Sequence, residues 1–170
     1  MPRLLERDDE TGLLLQTPVP ELERLRGTCC DLARSGGATV AGRHADVLLE
    51  GIRGEGSVIL DDSLEIWFSG RRFGVRYLVE AHAGGRSERS ISLDKLDSLR
   101  ILVDGSVVEA YANGGRHVFS SRWFCEERRE LTAAVTFACE TGRIWTMENV
   151  LEGMYATAEA PDLAFGGRIR

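Results

Sequence analysis

Asp104 and Glu109 are the two carboxylates whose spacing first suggests chemistry. A pair of carboxyl groups about 5–5.5 Å apart is what retaining cleavage of a glycosidic bond requires. The strand period argues against that use. Asp104 falls at the turn Asp104-Gly105-Ser106, and Glu109 sits midway along the strand that follows. Their odd separation is expected to place them on opposite faces of a regular strand. Asp104 then reads as a turn residue bonding its own backbone. Glu109 reads as a cross-strand ion-pair partner, with Arg116 or Arg122 as the candidates.

Other reactive side chains are scattered. His44, His82 and His117 share no ligand spacing, and His117, just after a turn, is expected to face solvent. The cysteines Cys29, Cys30, Cys125 and Cys139 form no C-x-x-C pair, so the zinc-ligand pattern is absent. They read as free thiols in a reducing compartment, which implies a cytoplasmic protein. Ser120 and Ser121 lack a G-x-S-x-G elbow, and no G-x-G-x-x-G loop occurs. The residues therefore imply no cofactor and no metal. Trp67, Trp123 and Trp145 lie among apolar neighbours and are expected in the core, while Trp67 and Trp123 are the candidates for stacking on a sugar ring. The charge clusters 71–72 and 126–129 read as solvated turns.

The elements that would position these groups are short strands. The 170 residues are 43% hydrophobic and 28% charged, enough for a single domain with its own core. A net charge of −6 gives no footprint for nucleic acid, and no run is long enough to span a membrane. Lys95 is the only lysine. Residues 1–20 hold Pro2, Pro18 and Pro20 and are expected to be extended and irregular. Residues 21–32 read as a short helix broken by Gly36-Gly37. From about residue 45 the period becomes two. Strand candidates follow at 47–50, 57–60, 64–68, 73–80, 90–93, 99–103, 107–112, 116–124, 132–138 and 143–147. About ten short strands at roughly ten-residue intervals predict an antiparallel sandwich or barrel. Asn113-Gly114-Gly115 is the clearest hairpin turn. Residues 148–160 read as a short C-terminal helix ended by Pro161.

The segment Leu99-Arg100-Ile101-Leu102-Val103-Asp104-Gly105-Ser106-Val107-Val108-Glu109-Ala110-Tyr111-Ala112-Asn113-Gly114-Gly115, continued by Ser120-Ser121-Arg122, resembles the C-terminal domain of glycoside hydrolase family 32. That family comprises the invertases, fructanases and sucrose-6-phosphate hydrolases, with the pattern L-R-I-F-V-D-x-S-S-V-E-V-F-x-N-x-G. Pro2-Arg3-Leu4 and then the run Leu15-Gln16-Thr17-Pro18-Val19-Pro20-Glu21-Leu22-Glu23-Arg24-Leu25-Arg26 look like the family's linker into the sandwich. Gly105 and Val107 depart from the pattern, where a larger residue and a serine are usual.

The resemblance implies an all-β fold: a two-sheet, lectin-like antiparallel β-sandwich over 41–147, a linker over 1–40 and an extension over 148–170. It marks Asp104, Ser106, Glu109, Asn113 and Arg122 as motif residues. It implies no catalytic residue in this chain. The family's N-D-P-N-G, R-D-P and E-C motifs belong to an N-terminal five-bladed propeller, and none occurs here: Arg7-Asp8-Asp9 lacks the proline, and Cys125-Glu126 is reversed. The parent activity implied is fructose release from sucrose or fructans by a retaining mechanism, without a cofactor. The expected partner is the propeller, followed by a second copy of the chain and by fructosides. A stand-alone fructoside-binding module is the rival reading.

Overall fold

The structure is a computed structural model in which residues 1–85, 87–124 and 129–148 are described. The expected C-terminal helix and most of the 126–129 charge cluster lie outside those residues. The chain opens with a hairpin of β1 (Arg3–Arg7) and β2 (Leu14–Pro18), followed by a 3-10 turn at Pro20–Leu25. The strands after it are β3 (Arg26–Asp31), β4 (Gly37–Ala41), β5 (His44–Glu50), β6 (Gly56–Leu60), β7 (Leu64–Ser69) and β8 (Arg72–Tyr77). The set ends with β9 (Glu88–Ser92), β10 (Ser98–Asp104), β11 (Val107–Ala112), β12 (His117–Arg122), β13 (Glu130–Val135) and β14 (Thr141–Met147). A single helical turn, α1 (Leu32–Ser35), separates β3 from β4.

Two six-stranded antiparallel sheets carry the fold. The first has the order β12-β11-β10-β5-β14-β3 and the second β4-β13-β6-β7-β8-β9. Alternation decides which side chains face inward. In β10, Leu99, Ile101 and Val103 are buried toward the second sheet, which returns Ile66, Phe73 and Leu131. This is the sandwich that the period-two pattern predicts.

Three local differences have identifiable causes. Residues 1–20 are paired rather than irregular, because the Asp8 carboxylate accepts from the backbone N–H of Glu10 (3.0 Å) and Thr11 (3.1 Å) and so closes a turn. The expected helix over 21–32 is present only as a six-residue 3-10 helix, Pro20–Leu25. Beyond it Gly27 and Thr28 are poor helix formers, and their strand pairs with β14 instead. The segment read as a linker, residues 1–40, thereby supplies an edge strand to each large sheet, β3 to the first and β4 to the second.

The Asn113-Gly114-Gly115 turn forms as expected, with all three residues at positive φ. Gly115 also carries the hairpin: its carbonyl accepts from Gln16 N–H at 3.0 Å. A Cβ there would run into the Gln16 carbonyl, and φ is +87°. Gly115→Ala is therefore expected to cost more than about 1 kcal/mol. It should also expose residues 7–14 to limited proteolysis before the sandwich is cut. Equal protease resistance in the two proteins would refute this attachment.

Candidate functional site

The outer face of the first sheet carries one continuous row of side chains. Register places Ser120, Glu109, Leu102, Asp46, Trp145 and Cys29 side by side across its six strands. The expectation that Asp104 and Glu109 lie on opposite faces is corrected here. The connection between their strands is the two-residue turn Gly105-Ser106, so Asp104 opposes Val107 and Leu102 opposes Glu109. Directly opposed residues share a face, so Asp104 and Glu109 share one as well. Counting parity straight through the turn misses this.

Two carboxylates of the row are buried, Glu109 and Asp46. Leu102 stands between them, so they are two strand spacings apart, roughly 10 Å. That is too far for the retaining pair. Both are also occupied by arginines of the N-terminal segment. Arg3 Nη2 donates to Glu109 Oε1 at 2.6 Å. Tyr111 donates to the other oxygen, and Arg3 lies over the Tyr111 ring at 5.5 Å. Asp46 is fully buried and receives Arg26 Nε at 2.8 Å and the fork of Arg100 at 3.0 and 2.8 Å. Glu23 bridges both arginines at 3.3 Å, and Arg26 stacks on Trp145 at 4.0 Å. Paired and hydrogen-bonded in this way, buried charges hold a structure in one arrangement. Here they fasten residues 1–26 across the sheet. Neither carboxylate is free to attack or to protonate a substrate.

Burial pushes the Glu109 carboxyl up, but the hydrogen bonds from Tyr111 and Arg3 outweigh it and hold it below the usual carboxylate range. Burial and then the Glu109 hydrogen bond push the Tyr111 hydroxyl well up. A depressed folded value stabilises above the unfolded value, about 4.3 for glutamate, and that stabilisation is lost as pH falls through the folded value. Glu109→Gln is expected to be less stable than the parent near pH 6, with the gap closing as pH falls below about 4. Urea midpoints measured across that range check this; a gap that stays constant with pH would refute it.

Glu109 pairs with neither Arg116 nor Arg122. Arg116 reaches Asp8 at 2.5 Å, because the hairpin approaches the 113–116 turn, and Arg122 Nη1 donates to Ser106 Oγ at 3.0 Å. Asp104 bonds His44 Nδ1 at 2.8 Å rather than its own backbone, since His44 opposes it on β5. Trp123 is completely buried and donates to Ser63 Oγ at 3.0 Å, so it cannot stack on a sugar, whereas Trp67 lines a surface cleft. His117 is half-buried and lines a shallow cleft with Asn113 and Arg116. Among the described residues, no three His, Cys, Asp or Glu side chains stand close enough to hold a metal. No helix among them is long and apolar enough to cross a membrane. The sequence marks Arg3, Glu23 and Arg26 only as members of the linker run and Arg100 only as a member of the motif segment, with no partner for any of them, and it does not mark Asp46. Asp46 sits at an outward position of β5 and gives no sign of being covered, and its arginines lie 20 and 54 residues away.

The family described as "Glycosyl hydrolases family 32 C terminal" matches residues 61–150, more than half of the chain. The chain belongs to this family. It is 28% identical over 165 residues to a sucrose-6-phosphate hydrolase of Vibrio alginolyticus, covering 94% of this chain and 33% of that one. A solved sucrose-6-phosphate hydrolase from Lactobacillus gasseri superposes with a TM-score of 0.70 at 28% identity, covering 86% of this chain and 33% of that one. A family 32 glycoside hydrolase from Bifidobacterium adolescentis shares the fold at 17% identity, with a TM-score of 0.68 over 88% of this chain and 26% of that one. The chain thus spans about a third of the length of the relatives it matches.

Within this family 32 C-terminal domain, the motif residues tie strands together. Asn113 Oδ1 accepts from the N–H of Asp97 (2.8 Å) and Ser98 (3.3 Å), and its Nδ2 donates to the Lys95 carbonyl at 2.8 Å. Ser106 receives Arg122 through its hydroxyl and the Trp123 N–H through its carbonyl at 2.8 Å. Ser106, Asn113 and Arg122 thus fix the β10-β11-β12 meander, Asp104 ties β10 to β5 through His44, and Glu109 fixes the N-terminal segment to the sheet.

Proposed function

We propose that this domain is a non-catalytic support that packs against the catalytic propeller of a fructose-releasing hydrolase acting on sucrose-type fructosides. The observation that carries this reading is the N-terminal hairpin. Leu4, Leu5, Leu13 and Leu14 are all exposed on β1, β2 and the turn between them. The hairpin is pinned to the sheet by Arg3 and Gly115, and Leu5 and Leu14, which share one of its faces, form one side of an apolar contact. Its position ahead of the sandwich is where a preceding domain would meet it. The length of the relatives, about three times that covered here, leaves ample chain for such a domain.

The chain alone is then expected to self-associate through these leucines and to take up an apolar dye. The double variant Leu5→Ser and Leu14→Ser should lose both properties without loss of thermal stability. Sedimentation and dye titration check this; a parent chain that stays monomeric and takes up no dye would overturn the reading. Fructose release is expected only when the propeller portion of a family 32 hydrolase is supplied. The same reading locates the protein in a reducing compartment, supported by the unbridged Cys29, Cys30 and Cys139. Fractionation of cells producing it tests that.

A further inference from the structure

The outer face of the first sheet holds a cavity of about 240 Å³ where β5 begins and β10 and β14 end. It is lined by Leu102 and Met147 from the sheet and by Pro2, Leu22 and Leu25 from the N-terminal segment. Leu102 is buried, yet it points away from the core between the sheets, because its neighbours Ile101 and Val103 hold the inward positions of β10. Its cover is therefore on the outer face. Leu22 and Leu25 supply part of that cover, but no residue of their 3-10 helix is fully buried. Apolar side chains that line a void forfeit the contacts a filling group would restore.

Glu148 fixes where the chain goes next. It is the last of the described residues, it lines the cavity, and its N–H donates to the Leu25 carbonyl at 2.8 Å. The backbone thus passes residue 148 at the cavity wall, tied to the helix whose leucines are half-covered. Val150 and Leu151 are the next large apolar residues in the sequence. An extended chain advances about 3.3–3.6 Å per residue, so both are within about 10 Å of Glu148.

We infer that this cavity is the seat of the chain's own segment after Glu148, with Val150 and Leu151 filling it. Seated there, the two side chains cover Leu22, Leu25 and Leu102 and press the 3-10 helix onto the sheet. Glu23 of that helix also reaches Arg26 and Arg100, the arginines on Asp46, so an apolar seat and an ionic clamp hold the same helix. The cavity is smaller than the usual small-molecule site of roughly 300–1,000 Å³. Its polar lining residues are Glu148 and the pair His44 and Asp104, which bond each other at 2.8 Å, and the rest of the wall suits aliphatic side chains. Propeller docking at the hairpin is not required for this seating.

NMR of the methyl-labelled full chain tests it, in the parent and in the Leu5→Ser, Leu14→Ser variant that is expected to be monomeric. Nuclear Overhauser contacts are expected from the Val150 and Leu151 methyls to those of Leu22, Leu25 and Leu102. In a mixture of labelled and unlabelled chains they should arise within one molecule, and they should persist in the hairpin variant, so failure of the docking reading and failure of this one show separately. Val150→Ser with Leu151→Ser is expected to speed amide hydrogen exchange across residues 22–26 at least about tenfold, the size of one lost aliphatic contact, and to leave β6, β7 and β8 unchanged. The contacts in the parent need no variant to fold. Contacts that come from a second copy, a cavity with no contact to Val150 or Leu151, or exchange unchanged in the double serine variant would each overturn the inference. The first outcome would give the cavity to another copy of the chain, and the second to a partner domain.

Discussion

Asp46→Ala is expected to lower the unfolding free energy by about 3–5 kcal/mol, the usual cost of removing one partner of a buried ion pair. The aspartate contributes little apolar contact, so the loss comes from what remains. Arg26 and Arg100 are each only 15% exposed, and without Asp46 their nearest acidic partner is Glu23, which is itself half in solvent. Two guanidinium groups would then face each other across an empty position. Arg26 is expected to swing out, taking β3 off the edge of the sheet, since its Nε donates to Asp46 and its Nη2 lies 2.8 Å from the same carboxylate. Arg100→Met should cost less, because it removes one of the two cations and leaves Asp46 with Arg26. Urea denaturation of the three proteins orders them. Asp46→Ala within about 1 kcal/mol of the parent would mean that the clamp contributes no net stability.

Trp123→Ala is expected to cost a similar amount, about 3–5 kcal/mol, by a different route. The ring is entirely buried at the end of β12, with Ser63 on its N–H and the Arg43 guanidinium 4.9 Å from its centre. Arg43 is fixed from its other side by Asp61 at 2.8 Å, and Asp61 also accepts from the Thr132 N–H at 2.7 Å. Removing the indole leaves a cavity between the sheets and strips the Arg43 guanidinium of the surface it rests on. Trp123→Phe keeps most of the volume and loses the hydrogen bond, so it should recover more than half of the loss. Thermal unfolding separates the two; equal destabilisation by Ala and Phe would assign the effect to the hydrogen bond rather than to packing.

The strands from β5 onward were legible because their inward residues alternate: Val47 and Leu49, then Leu99, Ile101 and Val103, lie at every second position. The Asn113 turn was legible because few residues accept positive φ. β3 and β4 were not. Arg26–Asp31 and Gly37–Ala41 carry too few large apolar residues to show a period, and they are strands because each has an edge of a larger sheet to pair with. Nor were the clamps. Glu109 stood out through its motif, but Arg3 was legible only as part of the linker run, with no partner, until the hairpin brought it across 106 residues of sequence. Trp67 and Trp123 looked alike in sequence, as each lies in a strand beside apolar neighbours. Only the parity of the strand in one case and the end of the strand in the other put the first on the outer surface and the second inside.

The pairing of β3 with β14 has a consequence for how the chain is made. β14 inserts between β5 and β3, so the third strand synthesised waits for the last described one before it gains a neighbour in its sheet. Contacts between such distant parts of a chain form slowly. Until residue 147 is available, the edge of β5 that β14 will occupy stays open, along with the inner face behind it. During synthesis this is the interval in which a growing chain is most exposed to pairing with another copy of itself. A domain that closes its first sheet with the last strand among its described residues should have a yield that depends on what shields that edge in the meantime.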